Sequence, residues 1–169
     1  MGKLKPSLKP VPPGTTFSDP RVLLCTWFGS GLIRPAPGTM GTIAGMPFGY
    51  FIFQQWGMKG LAIAALVLLV AATPFATWYG KKSGTVDDQS IVVDEVVGVW
   101  IAGIFAGNSI GLWIWAGFLF RLFDIWKPWP ASFYDNRSKG GFDVMMDDVV
   151  AGFYALFGVA IVALALMHT

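Results

Sequence analysis

The chain has 169 residues, of which 54% are hydrophobic and 13% charged, and its formal net charge is +2. That length predicts one domain, and the small charge with scattered basic residues argues against a nucleic-acid partner. The lone cysteine, Cys25, excludes a disulfide within the chain and a zinc cluster built from cysteines.

The first residues differ in composition from the rest. Residues 1–19 are polar and rich in proline, so we expect a flexible cytoplasmic leader ahead of a membrane domain over residues 20–169. Arg21–Ile33 is moderately apolar but too short to span a bilayer. We expect it to form a helix that lies at the membrane interface or packs in the bundle.

Long uncharged stretches fill most of the domain: Pro35–Met58, Gly60–Gly80, Val96–Phe120 and Val149–Met167. An apolar helix needs roughly 20 residues to cross the hydrocarbon core, and these stretches have about that length. The first two predict spans near Ile43–Trp56 and Leu61–Tyr79, joined by a tight turn at Gly57–Gly60.

The third stretch, Val96–Phe120, has two interpretations. It is either one tilted helix or a hairpin broken at Gly107–Gly111, with helices near Ile91–Ala106 and Leu112–Trp126. The hairpin leaves Lys59 as the only Lys or Arg on the far side of the membrane, whereas the single helix divides the basic residues seven to five. The preference of basic residues for the cytoplasmic side favours the hairpin.

These elements predict an all-α fold: a polytopic membrane helix bundle of about five transmembrane or partly re-entrant helices. The N-terminus is expected in the cytoplasm and the C-terminus, near His168, outside. On this topology every Asp and Glu falls at the cytoplasmic face, as does every Lys and Arg except Lys59. A protein with its reactive groups at one face of a membrane is expected to do chemistry at that face.

Acidic residues mark several helix ends at that face: Asp94, Glu95, Asp124, Asp147 and Asp148. Acids so close together repel unless they are protonated or share a cation, and oxygen ligands suit a hard ion such as Mg²⁺. The simpler interpretation is that acids at helix N-termini only complement the helix dipole. Three acidic clusters at converging helix ends favour the metal site, and we predict all five acids as catalytic residues and Mg²⁺ ligands.

Basic and hydroxyl side chains nearby are candidates for binding phosphate. Arg121 lies one turn from Asp124, which fits either a structural ion pair or a phosphate contact. Lys127 either extends toward lipid head groups or points inward to an anion. The glycine-rich loop before the first span carries Arg34 and Thr39, and its N–H groups can cradle phosphate oxygens. We therefore predict substrate binding by Arg34, Thr39, Arg121 and Lys127.

Four motifs, in this order, resemble the phosphatidylglycerophosphatase A family: Gly38–Gly41, Ile91–Gly98, Phe120–Pro130, and Gly140–Gly141 followed by Met146–Gly152. The resemblance covers roughly Phe28–Gly152. It implies a Mg²⁺-dependent lipid phosphatase of the bacterial inner membrane, with its active site at the cytoplasmic face. The implied reaction converts phosphatidylglycerol phosphate, a substrate in the bilayer, to phosphatidylglycerol and inorganic phosphate. The family's acidic site falls on the five acids named above, with Arg121 and Lys127 beside it.

Other functions fit parts of the same pattern. A lipid phosphatase could act instead on phosphatidate or polyprenyl pyrophosphate. A cation-coupled transporter would use the acids as coupling groups, although transport sites lie near the bilayer midplane and these acids lie at helix ends. A scaffold protein would carry the charges for structure alone. For a phosphatase, either a water molecule or an aspartate attacks phosphorus, and the sequence leaves both routes open.

Overall fold

The computed structural model describes residues 7–137 and 140–167, and it is mostly helical, with 75% of residues in helices. The helices are α1 (Pro20–Cys25), α2 (Pro37–Ser83), α3 (Val93–Ala102), α4 (Ile110–Trp126), α5 (Ala131–Arg137) and α6 (Gly141–Met167). The predicted helical class is confirmed. The core lies between α2, α3, α4 and α6, whose facing sides carry most of the buried apolar residues.

α2 folds back on itself at Gly57, whose φ of 64° and ψ of −164° are not helical. Its first turn lies against the start of α3, because Gly38 is adjacent to Glu95. Its last turns lie against the start of α6, where the Gly141 N–H donates to Thr77 Oγ1 over 3.0 Å. Glycine adopts a positive φ without the penalty of a Cβ atom. The predicted turn between two apolar segments is therefore confirmed.

α3 and α4 form a second hairpin. Gly103 packs against the Trp113 ring, and Trp113 Nε1–H donates to the Gly107 carbonyl over 3.1 Å. Further from this reversal, Gly98 packs against the Phe120 ring. Gly107 supplies the positive φ of 60° that the turn requires. The hairpin interpretation of this stretch is confirmed, and a single tilted helix is excluded.

Two helices, α2 and α6, are long and apolar enough to cross a membrane. α2 offers two arms, residues 37–56 before the reversal and residues 58–83 after it. α3 has 10 residues and is therefore about 15 Å long, half the thickness of the hydrocarbon core. Five membrane crossings therefore stay a prediction. His168, which we expect on the outer side of the membrane, lies beyond the residues that the structure describes.

α3 and α6 cross where two glycines meet. A Cβ atom on Gly152 would lie 3.1 Å from Gly98 Cα and 2.6 Å from the Gly98 carbonyl oxygen. Asp94 lies one turn before Gly98 in α3, and Asp148 lies one turn before Gly152 in α6. The crossing therefore brings the first turn of α3 beside the early turns of α6, and both helices begin at the same end of the bundle.

Residues 7–19, part of the predicted flexible leader, pack against the bundle. β1 (Ser7–Leu8) pairs antiparallel with β2 (Ile33–Arg34), which precedes α2. Lys9 Nζ donates to both carboxylate oxygens of Asp88, over 2.7 and 2.8 Å. This part of the chain is therefore tied to the loop between α2 and α3. The six residues before it lie outside the described ranges.

α1 (Pro20–Cys25) is shorter than the predicted segment that contains it. Asp19 caps the helix by accepting a hydrogen bond from the Arg21 N–H over 2.9 Å. Val22 and Cys25 are fully buried. This segment is expected from the sequence either to lie at the membrane interface or to pack in the bundle, and in the structure it packs in the bundle.

We predict that Gly152→Ala lowers the free energy of unfolding by about 1–3 kcal/mol, because the added methyl group overlaps the backbone of Gly98. Gly140→Ala is the matched control, since a Cβ atom there meets nothing within 4 Å. Thermal unfolding in detergent, followed by circular dichroism, measures both variants. Equal stability of the two would contradict the close crossing of α3 and α6.

Candidate active site

The five predicted acids line one cavity. They lie on the first turn of α3, the last turn of α4 and the early turns of α6: Asp94, Glu95, Asp124, Asp147 and Asp148. Arg121 and Lys127 line the same cavity, whose volume is about 330 Å³. The predicted convergence of acidic helix ends is therefore present in the fold.

Three of these acids are close enough to share one ion. One oxygen from each of Asp94, Glu95 and Asp148 lies within 4.8 Å of the others. Asp94 is 6% exposed and Asp148 4% exposed. Glu95 Oε2 is buried and has no hydrogen-bond partner among the residues that the structure describes. A buried carboxylate oxygen without a donor is costly, and a bound cation compensates for the missing hydrogen bond.

The cavity carries an excess of negative charge, because six carboxylates and two cationic side chains line it. Two unit charges 4 Å apart repel by about 4 kcal/mol at the effective dielectric constant near a protein surface. The acids therefore require protonation or a counter-ion. Oxygen ligands prefer a hard cation such as Mg²⁺ and do not suit zinc. The donor set and the unsatisfied Glu95 oxygen fit a hard divalent cation.

Arg121 lies at the edge of this acidic group. Its Nη1 forms an ion pair with Asp124 and lies 3.7 Å from Glu95 Oε1. Its Nε is buried and has no hydrogen-bond partner within the described part of the chain. A Cβ atom on Gly38 would overlap Glu95 Oε1 and lie 2.8 Å from Arg121 Nη1, so a larger residue there would displace these two side chains. Arg121 retains a donor for a further acceptor such as a phosphate oxygen.

Lys127 follows the last turn of α4 and points into the cavity. Its left-handed φ of 48° ends the helix, and its backbone N–H still donates to the Phe123 carbonyl. Its Nζ donates to Asp135 Oδ1 over 2.7 Å and to Asp147 Oδ2 over 2.6 Å. Burial lowers the pKa of Lys127, but these two carboxylates raise it above its usual 10.5 overall. Lys127 is therefore a charged group of the cavity. Of its two predicted orientations, toward lipid head groups or inward to an anion, the structure shows the inward one.

The structure places the other two predicted substrate-binding residues outside this cavity. Arg34 donates to the Gly31 carbonyl through Nη1 and to Ser90 Oγ through Nη2, each over 3.0 Å. Its guanidinium therefore ties β2 to the loop before α3. Thr39 lies in the first arm of α2 and lines an adjoining apolar groove. Their contacts with substrate stay predictions.

Some cavity residues were missed by sequence reasoning. Asp87 and Gln89 line the cavity from the loop between α2 and α3, and Asp135 of α5 holds Lys127. Burial raises the pKa of Asp87, and the charge of Lys127 opposes that shift. The available signal was the acidic pair Asp87–Asp88 directly before α3. In the structure only the first of the two faces the cavity.

The fold and the site together define an apolar helical protein whose acidic cavity also holds an arginine and a lysine, groups suited to a phosphate ester. The chain belongs to the phosphatidylglycerophosphatase A family, because residues 23–163 match the model of that family. It is therefore an enzyme of the phosphoric monoester hydrolase class.

Individual relatives agree with this assignment. The chain is 39% identical over 138 residues to phosphatidylglycerophosphatase A of Escherichia coli (strain K12), covering 80% of this chain and 79% of that protein. It is 40% identical over 139 residues to the Haemophilus influenzae protein of the same name, covering 82% and 85%. A Bacteroides thetaiotaomicron protein with the provisional name phosphatidylinositol-3-phosphatase is 37% identical over 147 residues, covering 83% and 91%. No solved structure gives a significant match.

We predict that Asp148→Asn raises the melting temperature by about 2–4 °C in a chelating buffer at pH 8, the shift that about 1 kcal/mol produces in a chain of this size. The amide removes one of three mutually repelling carboxylates. Differential scanning fluorimetry measures the change.

Asp88→Asn is the matched control for that variant, because Asp88 is also 4% exposed but is paired with Lys9. Burial raises the pKa of Asp88, yet hydrogen bonds from Lys9 and Ser90 lower it overall. Removing this charge is therefore expected to lower the melting temperature. A lower melting temperature for both variants would contradict the repulsion among the cavity acids.

Proposed function

We propose that the protein is a Mg²⁺-dependent lipid phosphatase of the bacterial inner membrane that hydrolyses phosphatidylglycerol phosphate to phosphatidylglycerol and inorganic phosphate. One observation carries the proposal: the acid triad (Asp94, Glu95 and Asp148) lies in the same cavity as Arg121, which has an unused buried donor. A phosphate monoester needs both a cation site and an anion-binding side chain. The two relatives named phosphatidylglycerophosphatase A support this substrate.

The acid triad would hold the ion. When bound, Mg²⁺ would neutralise charge on the phosphoryl oxygens and favour attack on phosphorus. Asp124 and Asp147, which we also predict as ligands, each have a cationic partner in the structure. Their first role in this proposal is therefore to position those cations beside the triad.

The cationic side chains would bind and orient the phosphate. Asp124 holds Nη1 of Arg121, which leaves the buried Nε free to donate to a phosphate oxygen. Lys127 Nζ has three donors, of which Asp135 and Asp147 use two. The third donor is available to the phosphate. Both cations would stabilise the charge that develops on the phosphoryl oxygens as the bond to the lipid oxygen breaks.

The nucleophile has two candidates. An aspartate of the cavity either accepts a proton from an attacking water molecule or attacks phosphorus itself. Acid quenching during turnover of substrate with a ³²P-labelled terminal phosphate distinguishes the routes. Attack by an aspartate leaves a phosphoenzyme that carries the label on the protein. Direct attack by water forms no such intermediate, and the label appears only in inorganic phosphate.

The bundle surface supports placement in a membrane. Large apolar side chains face outward on α2, α4 and α6, including Val70, Ile114 and Ile161, as lipid-facing positions require. Lys59 follows the reversal at Gly57 and so lies at the end of the bundle opposite the carboxylates. Lys81, at the other end of α2, lies on the carboxylate side. The preference of basic residues for the cytoplasm supports an active site at the cytoplasmic face.

We predict that purified protein releases phosphate from phosphatidylglycerol phosphate in the presence of Mg²⁺ and not in its absence. Asp94→Asn and Asp148→Asn are expected to lower kcat/KM by about 100-fold or more, because each removes a negative charge that would hold the ion beside the reacting phosphate. Asp88→Asn serves as the control, since its carboxylate faces Lys9 outside the cavity. A colorimetric phosphate assay measures all three variants.

The same assay separates the alternatives. If phosphatidate, polyprenyl pyrophosphate or phosphatidylinositol 3-phosphate is hydrolysed faster than phosphatidylglycerol phosphate, that compound would replace phosphatidylglycerol phosphate as the proposed substrate. Phosphate release in detergent, with no ion gradient, is inconsistent with a transporter as the main activity. Full activity of both cavity variants would contradict the proposed site and favour a structural role for its charges.

We predict that Arg121→Gln lowers kcat/KM by about 100- to 1,000-fold, because it removes a donor aimed at the developing charge. Arg21→Gln is the matched control: Arg21 forms an exposed ion pair with Asp19 in α1, away from the cavity. Steady-state kinetics on phosphatidylglycerol phosphate measures both. Similar losses in the two variants would show that the effect of Arg121 is not specific to the site.

A further inference from the structure

An apolar groove runs along the outside of the bundle between the first arm of α2 and α4. Its volume is about 300 Å³. Its nine lining residues all come from these two helices, four from α2, including Thr39, Ile43 and Met46, and five from α4, including Ile114, Gly117 and Phe118. Ile114 and Phe118 are exposed at its rim. The groove is therefore open to the side of the bundle rather than closed in the core.

The groove continues into the acidic cavity. Arg121 and Ile125 line both spaces, and Gly38 of the cavity precedes Thr39 of the groove. A molecule with an anionic head at Arg121 could therefore extend along α4 without leaving the protein surface. Ile114 lies seven residues before Arg121, which is about 10 Å along the helix.

Two local features make the groove apolar and narrow. Gly117 faces Met46, and a Cβ atom on Gly117 would lie 2.7 Å from the Met46 sulfur, so the missing side chain lets the thioether pack against α4 and narrows the groove. The Thr42 hydroxyl donates to the Gly38 carbonyl over 2.9 Å. Because this bond uses the hydroxyl proton within α2, Thr42 does not offer a free hydrogen-bond donor to the groove, and the wall of the groove beside it is apolar.

We propose that this groove binds an acyl chain of the phospholipid substrate and thereby places its terminal phosphate at Arg121. The inference rests on the proposed lipid phosphatase activity and adds the site that recognises the lipid part of the substrate. An amphiphile fits the two joined spaces because its charged head requires the polar one and its hydrocarbon chain requires the apolar one. Thr39, at the junction, is placed to contact the ester or glycerol oxygens between them.

A second apolar groove provides a comparison. It is lined by aromatic residues that include Phe17, Trp27, Phe28 and Phe48, and it is larger, at about 630 Å³. Within the described ranges it shares no lining residue with the acidic cavity. A chain bound there would not be continuous with a phosphate at Arg121. Continuity, rather than size, therefore selects the groove between α2 and α4.

The test narrows the groove and compares substrates that differ only in chain length. Ile114→Trp fills the rim of the groove, and Ile63→Trp is its matched control. Both isoleucines are 63% exposed, but Ile63 lies on the second arm of α2 and does not line the groove. The measured quantity is the ratio of kcat/KM for phosphatidylglycerol phosphate with two oleoyl chains to that for the dihexanoyl form.

Ile114→Trp is expected to lower this ratio by about tenfold, the effect of displacing roughly two methylene groups from apolar contact. Ile63→Trp is expected to keep the wild-type ratio. An unchanged ratio in Ile114→Trp, with active protein, would overturn the groove assignment and leave the phosphatase proposal intact. Wild-type protein without activity on either chain length would instead contradict the proposed function.

A second measurement does not depend on the variants. Wild-type protein is irradiated with phosphatidylglycerol that carries a diazirine in one acyl chain, and labelled peptides are identified by mass spectrometry. Labelling within residues 39–46 and 114–118 that is reduced by excess phosphatidylglycerol phosphate supports the proposal. Competed labelling confined to Phe28 and Phe48 would overturn it and assign the chain to the aromatic groove.

Discussion

The contact between Gly98 of α3 and Gly152 of α6 is the constraint on which the site depends. Without Cβ atoms at these positions, the two backbones approach closely enough for acids one turn earlier to share a small volume. Asp94 and Asp148 meet because each precedes its glycine by four residues. A larger side chain at the crossing would separate the helices and the carboxylates together, so packing and chemistry are set by the same pair of residues.

Bringing these acids together opposes folding. Buried carboxylates lose hydration and repel each other, and Glu95 Oε2 gains no hydrogen bond in return. The surrounding apolar contacts between α2, α3, α4 and α6 stabilise the bundle against that cost. Arg121 and Lys127 offset part of the charge of the six carboxylates that line the cavity, and the remaining acids require protonation or a counter-ion. Such stored repulsion is typical of a site built for a ligand rather than for stability.

The apolar groove extends this arrangement from the cavity to the side of the bundle. Arg121 belongs to both spaces, so one residue connects recognition of phosphate with recognition of hydrocarbon. The first arm of α2 contributes to each: Gly38 allows close approach to Glu95, and Met46 faces Gly117 across the groove. In this proposal a lipid substrate would enter from the membrane side and place its head group at the carboxylates.

The sequence by itself determined the helical class, both hairpin turns and the acids that meet, because apolar periods, glycine turns and uncharged lengths are local signals. It did not separate the triad of Asp94, Glu95 and Asp148 from Asp124 and Asp147, whose partners lie on other elements. It also predicted that Arg34 contacts the substrate; in the fold the Arg34 guanidinium donates to Gly31 and Ser90, and its contact with substrate stays a prediction. Only the tertiary structure decided these contacts, since each depends on distances between separate elements that no local pattern encodes.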